Sequence, residues 1–216
     1  MKKLILLLVP ISVYCQSNND YQAVQGKDLV MTKSSKNDSS VDGSPYINAN
    51  YQLAKISGNE KKYMIRYNAY ADEMEFQDET GIKYINKSKN LIVVFLQTNK
   101  IYTCKESPSK NGKAELKYFV QLVSNPTKYS LYKKEYIKLV SGIDGLNSYQ
   151  SSRNDYFEKQ KDEFYIEFNG TLFQLAPSAI KNFTEASAEA NTYIVRNKPK
   201  FTEKDMMKMV EFLNSN

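Results

Sequence analysis

The tightest group of acidic side chains in a strand-like part of the chain is Asp72, Glu73 and Glu75, within Tyr70-Ala71-Asp72-Glu73-Met74-Glu75-Phe76. Two carboxyls can hydrolyse a glycosidic bond when one protonates the leaving oxygen and the other faces it across a cleft as nucleophile or base. Neighbours in sequence do not meet that condition by themselves, so the simpler reading of these three is a solvated turn running into a strand. Catalysis would require two of them to converge in a pocket with raised pKa values. A carboxylate-dependent envelope hydrolase is therefore the alternative reading, not the leading one.

The chain has 216 residues and no histidine, so the serine, cysteine and metal-dependent hydrolases that rely on imidazole are excluded. G-x-S-x-G, Walker and G-x-G-x-x-G motifs are also absent. Asp38-Ser39-Ser40-Val41-Asp42-Gly43 has oxygen-bearing side chains at the first, third and fifth positions of a calcium loop and glycine at the sixth. The match then decays: Pro45 stands where an apolar strand residue belongs, and Ala49 occupies the place of the bidentate glutamate. No catalytic residue, metal ligand or cofactor is assigned on these grounds.

Lys128-Tyr129-Ser130-Leu131-Tyr132-Lys133-Lys134-Glu135-Tyr136-Ile137-Lys138 offers binding chemistry instead. As one strand it places Tyr132, Lys134, Tyr136 and Lys138 on a single face, with Leu131, Ile137 and Leu139 turned to the core. Lys133 and Glu135 interrupt the second face, so a bulge or partial exposure is required. An exposed ladder of tyrosines and lysines can hold an anionic glycan or a peptide, whereas the plain alternative is a strand edge guarded by lysines. These four residues are the candidate ligand-binding set.

The elements that must position them are mostly short strands. Tyr63 to Tyr67 alternates, Met74 to Phe76 resumes the alternation, and Ile82 to Ile85, Leu91 to Gln97 and Ile101 to Cys104 follow. Ala114 to Val123 and Tyr129 to Val140 flank a Pro126-bearing turn, and Ser141 to Lys161 reads as a long surface connection. Glu163 to Phe168, Asn169-Gly170 and Thr171 to Leu175 predict a hairpin, because Asn-Gly supplies the positive φ angles of a two-residue turn. The period then changes. Phe183, Ala186, Ala190, Tyr193 and Ile194 fall at helical spacing up to Pro199, and Thr202 and Asp205 resemble a capping box for a helix with Met206, Met209, Val210 and Leu213 on one stripe. This predicts an α+β domain over residues 46–216: an antiparallel meander, either open and curled or barrel-like, with helices over about 178–214 on one face or end.

The bulk numbers fit one main domain: 41% hydrophobic and 25% charged residues, with mean hydropathy −0.58. Met1-Lys2-Lys3 and the apolar run from Leu4 to Tyr14 read as an export signal over residues 1–15, followed by a polar linker over 16–45 with one apolar island at Leu29-Val30-Met31. Tyr14 is bulky where lipoprotein processing needs a small residue, so cleavage after Cys15 is expected and lipidation at Cys15 is the competing outcome. Cys104 is then the only cysteine left, with no disulfide to make and burial as a structural thiol expected. The formal charge of +6 falls to +4 once Lys2 and Lys3 leave with the signal. That mild balance points away from nucleic acid, and no later segment is apolar for long enough to span a bilayer.

Gly43-Ser44-Pro45-Tyr46-Ile47-Asn48, Ile65 to Glu75, Tyr129 to Lys134 and the closing Phe201 to Asn214 together resemble an uncharacterised family of exported proteins from Bacteroidota. The resemblance spans about residues 43–214 and carries no catalytic signature, so it implies location and architecture alone. The expectation is a non-catalytic cell-envelope protein, periplasmic or secreted, with an outer-membrane lipoprotein as alternative. Its partner would be an envelope polymer, a peptide or a protein.

Overall fold

The computed structural model describes residues 30–31, 41–107, 114–143 and 153–215. The expected signal over 1–15, Cys15, most of the linker, and Asp38 to Ser40 lie outside the described residues. Within them the chain is an α+β fold.

Among the described residues there are thirteen strands. They are β1 (Val30–Met31), β2 (Gln52–Ile56), β3 (Lys62–Asn68), β4 (Glu73–Asp78), β5 (Gly81–Ile85), β6 (Ile92–Phe95) and β7 (Lys100–Ser107). The rest are β8 (Glu115–Val123), β9 (Tyr129–Lys134), β10 (Ile137–Val140), β11 (Tyr156–Lys159), β12 (Glu163–Phe168) and β13 (Thr171–Leu175). Eleven form one antiparallel sheet in the order β1-β5-β4-β3-β2-β6-β7-β8-β9-β12-β13. The meander β2 to β5 grows to one side of β2, and the chain then returns so that β6 pairs with the other side of the same strand. Ala54, with no exposed surface, meets Tyr63 on one side and Phe95 on the other.

This sheet is curled but not closed, which corrects the barrel alternative: β1 and β13 end it and do not pair. The curl is measurable. Tyr67 on β3 and Tyr118 on β8 lie four strand spacings apart, roughly 19 Å in a flat sheet, yet their ring centroids are 6.2 Å apart. Tyr67 also lies 4.9 Å from Tyr102 on β7. The inner face carries a first apolar cluster including Ile65, Met74, Phe76, Val93, Cys104 and Val120, and no helix contributes to it. A second cluster, Tyr129, Leu131, Phe164, Ile166 and Leu175, is covered by helices, and Leu122 packs against both clusters.

The predicted strand Tyr129 to Val140 is in fact two. β9 stays in the main sheet, and after Glu135-Tyr136 the chain leaves it so that β10 can pair with β11 in a separate two-stranded sheet. The stretch read as a surface connection thus contains β11, and Leu139, expected in the core, is 39% exposed. The backbone N–H of Ile137 reaches across to the carbonyl of Ala69, 3.3 Å away in the β3–β4 turn.

Among the described residues three helices follow: α1 (Ile180–Ala186), α2 (Ala188–Asn197) and α3 (Glu203–Ser215). The expected continuous run through Phe183 and Ile194 is broken at Ser187, whose extended backbone (φ −137) ends α1 and whose hydroxyl accepts from Ala190 N at the start of α2. α3 buries the predicted stripe Met206, Met209, Val210 and Leu213. Asp205 N donates to Thr202 Oγ1, while the Asp205 carboxylate turns to Lys200 N and not back to Thr202. Among the described residues no helix is long and apolar enough to cross a membrane.

Residues before Tyr46 also pair with the fold. Val30–Met31 pair with β5, and Asp42 exchanges backbone hydrogen bonds with Asp155 and Phe157. Part of the stretch read as a linker is therefore stitched to the fold.

Candidate functional site

A cleft of about 280 Å³ opens where β9 leaves the sheet, lined by the turn residues Ala69, Tyr70 and Asp72, by Lys117 and Phe119 of β8, by Lys134 and Tyr136, and by Glu163 and Tyr165 of β12. Its inner wall is set by pairing. β9 follows β8 as far as Lys133 opposite Val120, and beyond that point the peptide group of Tyr118 needs other partners. Asp72 accepts from Tyr118 N (3.3 Å), and Lys134 Nζ donates to Tyr118 O (3.0 Å).

Asp72 reaches this place from the left-handed region (φ 57), which aspartate tolerates better than most residues. The turn is held by Asn68 Oδ1, which accepts from Ala71 N at 2.9 Å. The Asp72 carboxylate also accepts from Tyr67 Oη (2.6 Å), Lys87 Nζ (2.6 Å) and Lys134 Nζ. Lys134 in turn donates to Tyr67 Oη at 2.8 Å. All three ammonium donors of Lys134 are thus filled, by Asp72, Tyr67 and Tyr118. Burial lowers the Lys134 pKa against the opposing pull of Asp72, and burial, reinforced by Asp72, holds the Tyr67 hydroxyl well above its ordinary value. Lys134 is a structural cation here, with no donor or lone pair left to present to a substrate.

Its neighbour Glu135 is 5% exposed and points into a different group. It accepts from Lys100 Nζ at 2.9 and 2.7 Å and from Tyr102 Oη at 2.8 Å. Burial works to raise the Glu135 pKa, but Lys100 overrides it and the net shift is downward.

The carboxylates considered for hydrolysis do not converge. Glu75 stands opposite Arg66 in the β3–β4 register, whereas Tyr67, which binds Asp72, is opposite Met74 on the other face of the hairpin. Glu75 accepts from Arg66 Nε (2.9 Å), Tyr46 Oη (3.0 Å) and Asn68 Nδ2 (3.0 Å). The Arg66 guanidinium lies 3.8 Å from the Tyr46 ring centroid and 4.5 Å from that of Tyr51. Glu73 sits in register with Asn68. Asp72 and Glu75 serve separate networks, each centred on a different cation.

The four residues of the expected ladder are divided. Lys134 and Tyr136 line the cleft. Tyr132 is not exposed but 3% accessible, packed with Phe119 and Tyr165, and its hydroxyl donates to Glu167 (2.8 Å), which also binds Lys105. Lys138 is exposed on β10, with its ammonium 5.6 Å from the Tyr136 ring and outside the cleft lining. The single exposed face is corrected, because the break at Glu135-Tyr136 sends the two halves of the stretch into different sheets.

The open wall of the cleft is aromatic and polar. Tyr70 is 50% exposed and meets Phe157 edge-on at 5.3 Å. Tyr165 Oη donates to Glu163 at 2.8 Å, with Gln174 Nε2 at 3.4 Å from the same oxygen, and Lys117 bridges to Glu115 at 3.2 Å. Sequence reasoning did not single out Tyr70, Lys117, Glu163 or Tyr165. Alternation along β12 would have found Tyr165, but only once the β9–β12 pairing that sets it beside Tyr132 was known. Compared with protein-family models, with curated proteins and with solved structures, the chain matches none.

Proposed function

We propose that this is a non-catalytic binding module of the cell envelope, exported through residues 1–15, which holds an envelope polymer, a peptide or a partner protein in the cleft beside Lys134. The observation that carries this reading is the contrast between the two walls. The inner wall is a saturated ion-pair network around Lys134 and Asp72, and the outer wall offers tyrosine rings and hydrogen-bonding side chains. Saturated groups hold shape; half-exposed aromatic rings supply contact area at low entropic cost. Hydrolysis by carboxylates has less support, because Asp72 and Glu75 are engaged in separate ion pairs, with Lys134 and with Arg66.

One fractionation experiment tests the reading. Tyr70→Ala with Tyr136→Ala is expected to lower retention of the protein on isolated envelope fractions about tenfold, and unchanged retention would rule the cleft out. The intact mass of the native protein from the same fractions should correspond to a chain starting at Gln16. A diacylglyceryl group on Cys15 would make it a lipoprotein, and an uncleaved chain in the cytosol would end the envelope reading.

A further inference from the structure

The cleft continues on its far side. A second cavity of about 290 Å³ shares Tyr136 and Glu163 with it, so the two cavities adjoin at these residues as two lobes. The second lobe is built differently. Its floor is apolar, made by Phe164, Leu175, Pro177 and Phe201. Phe201 reaches it from the left-handed region (φ 55), a conformation unfavourable for a bulky residue and held by packing against the helix-covered core.

At the wall of this lobe stands Asp162, whose carboxylate has unused acceptor capacity. Oδ1 is buried with no hydrogen-bond partner among the described residues, and Oδ2 forms a long ion pair with Lys133 Nζ at 3.7 Å without a hydrogen bond. Lys133 is instead bonded to Glu203 at 2.8 Å. The Asp162 side chain is 26% exposed and lines the lobe, and because Oδ1 is buried, Oδ2 is the oxygen within a ligand's reach. Lys161 also lines the lobe, with its side chain on the exposed side. A carboxylate left short of donors beside an apolar floor is complementary to one kind of group: an aliphatic stem that ends in an ammonium.

We infer that the two-lobed groove takes an extended peptide, with a lysine-type side chain in the Asp162 lobe and an aromatic side chain against Tyr70 and Tyr136 in the other. This deepens the proposed function and rests on the cleft being the binding surface. A peptide fits better than a glycan because the second lobe offers an aliphatic floor with an acidic end, whereas sugar rings present hydroxyls around their whole edge.

Two probes separate the inference from the reading beneath it: acetyl-Gly-Tyr-Gly-Lys-Gly-amide, and the same peptide with norleucine for lysine, which keeps the stem and removes the charge. In titration calorimetry the full-length exported protein should bind the lysine peptide about tenfold more tightly. Asp162→Asn should abolish that preference while leaving norleucine-peptide binding unchanged, and Asp162→Glu should retain it. Tyr70→Ala should weaken both peptides equally. Equal affinity of the wild type for the two peptides, a preference that survives in Asp162→Asn, or no binding of either peptide at millimolar concentration would overturn the inference. If the preference is missing but Tyr70→Ala still weakens both peptides, the cleft reading stands; if Tyr70→Ala also changes nothing, that reading falls too.

Discussion

The two halves of the sheet's inner face are buried in different ways. Strands β2 to β8 curl over their own cluster without a helix, whereas β9, β12 and β13 lie under α1, α2 and α3. Buried charge stays away from the helix-covered cluster: Glu75 lies on β4, and Lys134 and Glu135 stand at the end of β9, where their side chains turn to the curled half, while the polar residues buried beside the helices are Ser130 and Ser187. The reason lies in the backbone. A helix satisfies its own peptide groups and needs only an apolar stripe to cover a sheet, while a sheet bent over itself brings in turns and departing strands whose N–H and C=O groups need outside partners. Asp72 and Lys134 answer that need at Tyr118. Ion pairs therefore pin the curl, and apolar packing seats the helices.

Breaking a pin should have the largest effect. Asp72→Ala leaves the Lys134 ammonium buried without its counter-charge, which is expected to cost up to about 5 kcal/mol in urea unfolding. Adding Lys134→Met should recover most of that loss, because the uncompensated charge and not the missing contact is the main penalty. A cost below about 1 kcal/mol, as for an exposed pair, would mean that the pin does not hold the curl.

Alkaline pH probes the same half without a mutation. Burial raises the hydroxyl pKa of Tyr67, Tyr102 and Tyr118 above the ordinary value of 10, with nearby carboxylates reinforcing it. The folded chain thus keeps protons that the unfolded chain releases, so stability is fully present below pH 10 and is lost as pH climbs toward the folded values. Burial also pushes the Cys104 thiol up to about 11, adding a smaller term of the same sign. Lys134 works the other way, since its lowered pKa removes a penalty as pH rises. Three buried tyrosines should together cost about 4 kcal/mol at pH 11. Tyr102→Phe should shrink the stability difference between pH 8 and pH 11 by about a third, and an unchanged difference would place the alkaline sensitivity elsewhere.

The helix-covered half was readable from local pattern, and the pins were not. Asn169 (φ 49) and Gly170 (φ 73) form the predicted turn because two adjacent residues decide it. The α3 stripe likewise depends only on spacing within the helix. The break between β9 and β10 has no such local sign: Tyr132, Lys134, Tyr136 and Lys138 alternate as one continuous strand would. What divides them is a turn that meets Lys134 from 62 residues upstream, through Asp72, with Ala69 O taking the Ile137 N–H. Alternation named Lys134 and Tyr136 but could not say that one was buried and satisfied while the other stood at an open wall. Tyr70 and Tyr165 entered the cleft through long-range pairing, which the spacing of neighbours does not encode.

A smaller effect is expected where the helices sit, and it should differ in kind. Met209 has no exposed surface and packs with Phe183, Met206 and Leu213 against Leu131 and Ile166. Met209→Ala removes apolar atoms and leaves a cavity, at a cost of about 3 kcal/mol. No second deletion should rescue it, since no charge or polar group is stranded; a further truncation such as Leu213→Ala should instead add to the loss. The Asp72 and Lys134 pair should show recovery in a double-mutant cycle, and the Met209 and Leu213 pair should show accumulation. If both pairs accumulated, the buried charges of the curled half would be ordinary packing groups. Opposite signs would mark the curl as an electrostatically closed structure joined to an apolar one through Leu122.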